Sequence, residues 1–137
     1  MSEGYSIEGL KVGQSASMTK TVTEADVILF AGVTGDFNPA HIDDEYAKKS
    51  MFKGRIAHGM MSAGFISAVL AMKLPGPGTI YLGQTLKFKA PVRIGDTVTA
   101  TVTVSDINVE KKIVKLDTVC TVAGKPVVTG DCTMMKP

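Results

Sequence analysis

The chain of 137 residues has no tryptophan, only eight other aromatic residues, only two histidines and a net charge of just +2. Scattered lysines with so few aromatic side chains exclude the basic, base-stacking surface of a nucleic-acid-binding protein. The longest apolar run, residues 59–72, is shorter than the roughly 20 residues that span a membrane. The N-terminus shows no basic segment followed by an apolar one. We therefore expect a cytoplasmic protein without a nucleic-acid or membrane partner.

The two cysteines, Cys120 and Cys132, lack the spacing and the additional ligands of a metal site. If Gly124-Lys125 forms a two-residue hairpin loop, Cys132 lies opposite Asp117, and the two sulfurs point to opposite faces of the sheet. That register forbids a disulfide between them and predicts two free thiols in a reducing compartment.

The composition, 45% hydrophobic and 20% charged, predicts a single globular domain over residues 1–137. Thr23 to Asp26 reads as a capping box, and Gly35 is a typical end for the helix that it opens. Asp43 is placed to cap a short second helix. The stretch from about residue 58 to 73 is apolar almost all round, which predicts a helix buried on every side.

Strand signals account for most of the remaining chain. Residues 15–22 predict a first strand, and the Thr/Val alternation after Gly95-Asp96 predicts several more. Leu86 and Phe88 alternate with lysines, which predicts one buried face and one wet face. We expect a four-strand meander after the long helix, and thus an α+β protein whose antiparallel sheet wraps around that helix.

The segment Asp36-Phe37-Asn38-Pro39-Ala40-His41 brings a carboxylate and one of the two imidazoles into a short loop. Pro39 fixes its own φ and disfavours a helical Asn38, so the loop is stiff. A carboxylate and an imidazole held close together suit proton transfer at neutral pH. Turn chemistry alone would also explain Asp and Asn before a proline.

Four motifs in register extend this observation: Asp36-x-Asn-Pro-x-His41-x-Asp43, Ala57-His58-Gly59-Met60, residues 80–88 and residues 91–98. Together they resemble the MaoC-like dehydratase family, and in particular its (R)-specific enoyl-CoA hydratases. The resemblance implies the hot-dog fold, with an overhanging helical segment that carries the hydratase motif. It also implies an acyl-CoA substrate, a homodimer or larger homo-oligomer, and no cofactor or metal.

The resemblance assigns the catalytic roles to Asp36 and His41, which would together hold one water molecule. The backbone N–H of Gly59, at the start of the long helix, is the expected oxyanion donor. His58 is more typical of a structural histidine than of a second base. Expected to bind substrate are Asn38, Ser67, Ile66 and Leu70, and weaker candidates for the coenzyme A phosphates are Lys53, Arg55, Lys87 and Lys89.

Several functions compete with a hydratase for short trans-2-enoyl-CoA substrates. A branched or dicarboxylic enoyl-CoA is one alternative substrate. A hot-dog thioesterase would use a carboxylate without the Asp-His pair, and a non-catalytic acyl-thioester-binding subunit would be expected to have lost Asp36 or His41. Both residues are present, which favours the hydratase.

Overall fold

The computed structural model describes residues 3–137 of the chain. This part contains four α-helices, six β-strands and one turn of 3-10 helix. The helices are α1 (Glu24–Thr34), α2 (Pro39–Ile42), α3 (Asp44–Lys49) and α4 (Gly59–Met72). The strands are β1 (Ser15–Thr21), β2 (Ile80–Gln84), β3 (Lys87–Phe88), β4 (Thr97–Asn108), β5 (Ile113–Val122) and β6 (Lys125–Met135).

The short helices begin and end where local side chains satisfy the free backbone groups. The Thr23 hydroxyl accepts from the Asp26 N–H, and the Asp26 carboxylate accepts from the Thr23 N–H, so the predicted capping box is confirmed. Gly35, at φ 82°, ends α1 in the left-handed conformation. Asp43 caps α3 by accepting from the Tyr46 N–H, which is also as predicted.

The strands form one antiparallel sheet in the order β1-β4-β5-β6-β2, with the short β3 also pairing to β6. The predicted α+β architecture, with an antiparallel sheet packed on a long helix, is confirmed. The predicted meander is wrong in one respect. The strand that follows the helix joins β6 rather than β4, because β1 already occupies the other side of β4.

The hairpin register near the cysteines also differs from the prediction. The turn residues are Ala123 and Gly124, at φ 51° and 79°, and a β-bulge follows between Cys120 and Thr121. Cys132 therefore lies opposite Leu116 rather than Asp117. Both sulfurs are on the buried side of the sheet, but the thiols are free because the two residues lie well apart along the hairpin.

The core lies between one face of α4 and the concave side of the sheet. Ile66, Val69 and Leu70 are fully buried, and α4 packs on β4, β1, β5 and β6. The expectation that α4 is buried on every side is wrong for the single chain, since Met60 and Met72 on the opposite face are exposed. The sheet side of the core consists of Val98, Ala100, Val102, Val104, Val114, Leu116, Cys120, Val128, Cys132 and Met134.

Within residues 3–137, none of the helices has both the length and the hydropathy needed to cross a membrane. The segment that connects α1 to α3 lies over the N-terminus of α4, and this brings the loop of residues 36–41 to the start of that helix.

Candidate active site

The loop of residues 36–41, called the motif loop below, is held by short bonds within itself. One Asp36 carboxylate oxygen accepts from the Asn38 N–H at 3.1 Å. The Asn38 side-chain oxygen accepts from the Ala40 N–H at 3.0 Å and caps α2. Asn38 therefore fixes the loop from both sides, and the Asp36 carboxylate keeps its second oxygen for another partner.

His41 lies at the end of α2 and is 9% exposed. Its Nδ1 is 2.8 Å from the carbonyl oxygen of Ile56. A carbonyl oxygen only accepts, so Nδ1 must carry the hydrogen. In the neutral ring the lone pair is then on Nε2, and this nitrogen can accept a proton.

His58 holds the motif loop from the other side. Its Nε2 donates to the backbone carbonyl of Asp36 at 2.9 Å, which is the structural contact that the sequence suggested for this residue. Its ring stacks on that of His41, with centroids 3.9 Å apart and planes at 28°, and Phe30 packs 4.8 Å away. The Nδ1 of His58 is buried and has no hydrogen-bond partner.

The structure thus brings Asp36, His41 and His58 together, with one side-chain donor atom from each lying within 4.8 Å of the others. A water molecule about 2.8 Å from each of two such atoms fits between them. The same three residues form a metal-type donor set.

Gly59 is the first residue of α4, so its N–H has no partner within the helix and lies at the positive end of the helix dipole. A Cβ at this position would lie 2.7 Å from the ring of Phe88, so a larger residue would displace that ring. Phe88 itself is 55% exposed rather than buried as its alternation predicted, because β3 is a two-residue strand lying beside the start of α4.

Two neighbouring cavities meet at this point. One of about 710 Å³ is lined by Asp36 and Ser67, and one of about 620 Å³ is lined by His41 and Gly59. Met60 lines both. Several residues that line the first cavity were not predicted to belong to the site. These residues are Phe30, Thr34, Met60, Tyr81, Leu82 and Gln84. Three of them fall in residues 80–88, one of the motifs that carry the family resemblance.

The comparisons with known proteins agree with this geometry. Residues 9–131 match the MaoC like domain. The chain is 63% identical to an (R)-specific enoyl-CoA hydratase of Rhodospirillum rubrum over 95% of this chain and 90% of that protein. The chain belongs to the MaoC-like family.

Two further relatives of this MaoC-like protein are informative. A 3-hydroxybutyryl-CoA dehydratase of Methylorubrum extorquens is 43% identical over 95% of this chain and 83% of that protein. The solved (R)-hydratase of A. caviae, involved in PHA biosynthesis, superposes with a TM-score of 0.92 at 42% identity, covering 95% of this chain and 99% of that one. The hot-dog fold expected from the resemblance is thereby confirmed.

The structure does not bring Ile66 and Leu70 to either cavity of the MaoC-like chain. The two residues are four apart on α4 and therefore share the face that packs on the sheet, where both are fully buried. Ser67 follows Ile66 by about 100° around the helix and so reaches the first cavity. The expectation that Ile66, Ser67 and Leu70 all bind substrate is therefore wrong for Ile66 and Leu70, because the three residues do not share one face of α4.

The cationic side chains of the MaoC-like chain divide into two kinds. Lys53, Lys87 and Lys89 are exposed, and Lys89 lines the cavity of His41. The Arg55 side chain is only 8% exposed and bonds to protein groups. Arg55 is therefore a poor candidate for a coenzyme A phosphate, whereas the three lysines stay candidates.

The cysteines take no part in the chemistry of the site. Burial raises the pKa of the Cys120 and Cys132 thiols to about 12. Because the thiolate is the nucleophilic form, these thiols are inert at neutral pH.

Proposed function

We propose that this protein is an (R)-specific enoyl-CoA hydratase, which reversibly adds water to trans-2-enoyl-CoA and gives (R)-3-hydroxyacyl-CoA. The observation that carries the proposal is the meeting of Asp36 and His41 beside the free N–H groups at the start of α4. The 63% identity to an enzyme of that name supports it.

The proposed mechanism uses one water molecule held by the dyad of Asp36 and His41. Asp36 orients the water and removes its proton, which passes to the lone pair of His41 Nε2 as the water oxygen bonds to C3 and the C2=C3 electron pair moves towards the thioester oxygen. His41 Nε2 then delivers this proton to C2 on the same face, so both groups return to their starting states. The Nδ1–H bond of His41 to Ile56 leaves Nε2 for this proton. Because both groups hold the same water molecule, they share the roles of base and acid.

We propose that the Gly59 N–H stabilises the negative charge that develops on the thioester oxygen. It lies at the N-terminus of α4 and lines the same cavity as His41. A preorganised donor of this kind typically contributes about 3 kcal/mol to transition-state stabilisation. The absence of a side chain lets the thioester approach the backbone.

The deciding experiment follows the loss of enoyl absorbance when the purified protein is mixed with crotonyl-CoA, and then identifies the product by chiral analysis. We expect turnover and (R)-3-hydroxybutyryl-CoA. An (S) product, or an absence of turnover above buffer, would overturn the proposal. Phe37→Leu, beside Asp36 but exposed and outside both cavities, is the matched control for changes in the motif loop.

We propose that the acyl chain is short. The 3-hydroxybutyryl-CoA relative is consistent with a four-carbon substrate. Rates with four-, six- and eight-carbon enoyl-CoA should fall in that order, and equal rates would contradict the argument. Supply of hydroxyacyl monomers for polyester synthesis is a compatible role.

We propose that the single domain works as a homodimer in the cytoplasm. Met60, Leu82 and Phe88, around the two cavities, are exposed apolar side chains of the isolated chain, and β1 and β2 leave two sheet edges unpaired. A second copy would cover such surfaces. Light scattering at micromolar concentration should give twice the mass of 14.4 kDa, and a stable monomer would contradict the dimer. The free cysteines suit a reducing compartment.

A further inference from the structure

Arg55 lies behind the motif loop, outside the cavities of Asp36 and His41, and it connects the ends of three helices. Its Nε donates to the backbone carbonyl of His41 at 2.7 Å. One of its terminal nitrogens pairs with Glu24 in the first turn of α1 at 2.6 Å and with Asp44 in the first turn of α3 at 3.8 Å.

The contact to His41 satisfies a group that the local structure leaves free. Because α2 has only four residues, the His41 carbonyl near its end lacks a partner within the helix. A cation at a helix C-terminus satisfies such a carbonyl and complements the helix dipole. The planar guanidinium can do this with Nε while one terminal nitrogen pairs with carboxylates, which a lysine could not do in the same geometry.

The backbone that carries Arg55 holds the other side of His41. The Ile56 N–H donates to the Ala40 carbonyl at 3.2 Å, and the Ile56 carbonyl accepts from His41 Nδ1 at 2.8 Å. The main chain and the ring of His41 are therefore both fixed by residues 55 and 56. Movement of Arg55 would shift the hydrogen bond that keeps the lone pair on Nε2.

The burial of Arg55 argues against a role in general stability or in phosphate binding. Its side chain is 8% exposed, and one terminal nitrogen is buried without a partner. An unpaired buried donor is a cost to the fold. The paired nitrogens face protein groups, and the unpaired nitrogen is buried rather than open to solvent.

We propose that Arg55 is a positioning residue for the hydration reaction, acting through the carbonyl of His41. This inference rests on the proposed function. A displacement of a reacting group by about 1 Å can lower a rate by about 10²-fold. Arg55 thus sets the placement of the base without touching the substrate.

The test compares Arg55→Met with Arg93→Met, using crotonyl-CoA and the purified protein. Arg93 lines the same small cavity as Arg55, but its side chain contacts only the Gly54 carbonyl, at 3.5 Å. We expect Arg55→Met to lower kcat by about 10- to 100-fold with KM changed less than about twofold, and Arg93→Met to keep both. A raised KM with an unchanged kcat would assign Arg55 to coenzyme A instead and overturn the proposal, as would equal losses in the two variants.

A second readout does not depend on turnover. In ¹⁵N spectra of labelled histidine, the wild-type protein should show a slowly exchanging Nδ1–H for His41, and this signal should broaden or disappear in Arg55→Met but not in Arg93→Met. If the wild-type protein hydrates no enoyl-CoA, the proposed function fails, while this signal still decides the positioning role. An unchanged His41 signal in Arg55→Met would overturn it.

Glu24→Gln keeps the test decisive if Arg55→Met does not fold. Glu24 is an exposed residue whose carboxylate pairs with Arg55. Replacing the carboxylate with an amide weakens this ion pair and leaves the packing of the core unchanged. We expect kcat to fall by about two- to fivefold at constant KM. An unchanged kcat in folded Glu24→Gln would count against positioning by Arg55.

Discussion

Strands β4 and β5 bury alternate side chains along most of their length, whereas in the motif loop only His41 is buried. The sheet is held by continuous backbone ladders and apolar burial. The loop is held by single polar bonds, from Asn38 to Asp36, from His41 to Ile56 and from His58 to Asp36. The loss of one side chain should therefore cost mainly stability in the sheet and mainly activity in the loop.

The largest effect should come from the loop. Asp36→Asn and His41→Ala should each lower kcat by about 10²–10⁴-fold, because each removes a general acid or base. The midpoint of thermal unfolding should change by only a few degrees, since Asp36 is exposed and the His41 side chain contributes one hydrogen bond and one stacked ring. Crotonyl-CoA kinetics and thermal melts at one fixed protein concentration test both halves. Wild-type turnover in either variant would break the dyad assignment, and a collapse of stability would break the comparison.

The sheet should respond in the opposite way. Leu116→Ala in β5 removes a fully buried side chain and should cost about 2–5 kcal/mol of unfolding free energy. The kcat of the protein that remains folded should stay within about twofold, because Leu116 lines neither cavity of the site. Leu29→Ala makes the same chemical change on the exposed face of α1 and should cost less than about 0.5 kcal/mol. Equal losses in urea unfolding would contradict the burial argument.

Two glycine-to-alanine substitutions should change the free energy of unfolding in opposite directions, which sharpens the comparison. A Cβ at Gly130 in β6 would overlap the backbone carbonyl of Thr85, whereas a Cβ at Gly32 in α1 meets nothing within 4 Å. Gly130→Ala should destabilise by about 1–3 kcal/mol through overpacking. Gly32→Ala should stabilise by about 0.5–1 kcal/mol because alanine is the better helix former. A stable Gly130→Ala variant would mean that β6 and the chain at Thr85 separate easily.

The elements predicted well from the sequence depend on signals within a few residues. Thr23 and Asp26 form a capping box, Gly35 ends α1, and Asp43 caps α3. The stiff turn that carries Asp36 also depends on neighbouring residues only. The Asn38 N–H donates to the Asp36 carboxylate, and the Asn38 side-chain oxygen accepts from the Ala40 N–H. The proposed catalytic pair was chosen from this local motif and its resemblance to the MaoC-like family, before any tertiary contact was known.

The errors arose where distant segments meet. The register of Cys132 depends on a bulge and on a turn that begins at Ala123, a residue with positive φ that sequence preference does not favour. The partner of β2 depends on which sheet edge β1 leaves free. The bonds that Arg55 and His58 make to the motif loop join segments 14 and 22 residues apart. Spacing along the chain does not specify such contacts.

The smallest expected effect concerns the helix that leads into the motif loop. A hydrogen bond from Lys20, and then one from the Thr23 N–H, hold the pKa of Asp26 below its ordinary value of 3.8. A carboxylate whose pKa is lowered by folding adds stability above its unfolded pKa, and that stability is lost as the pH falls through the folded pKa. Asp26 therefore stabilises the protein at neutral pH, and its contribution disappears on acidification below about pH 4.

Asp26→Asn should lower the free energy of unfolding at pH 7 by under about 1 kcal/mol, because the ion pair with Lys20 is partly exposed and screened by water. The difference between the variant and the wild-type protein should shrink as the pH is lowered from 5 to 3, whereas the difference caused by Leu116→Ala should not change. Urea unfolding across this range, at one protein concentration, measures both differences. A gap between Asp26→Asn and wild type that widens towards low pH would show that the sign is wrong. If the gap does shrink, acid loosens the start of α1 while leaving the contribution of the sheet core intact.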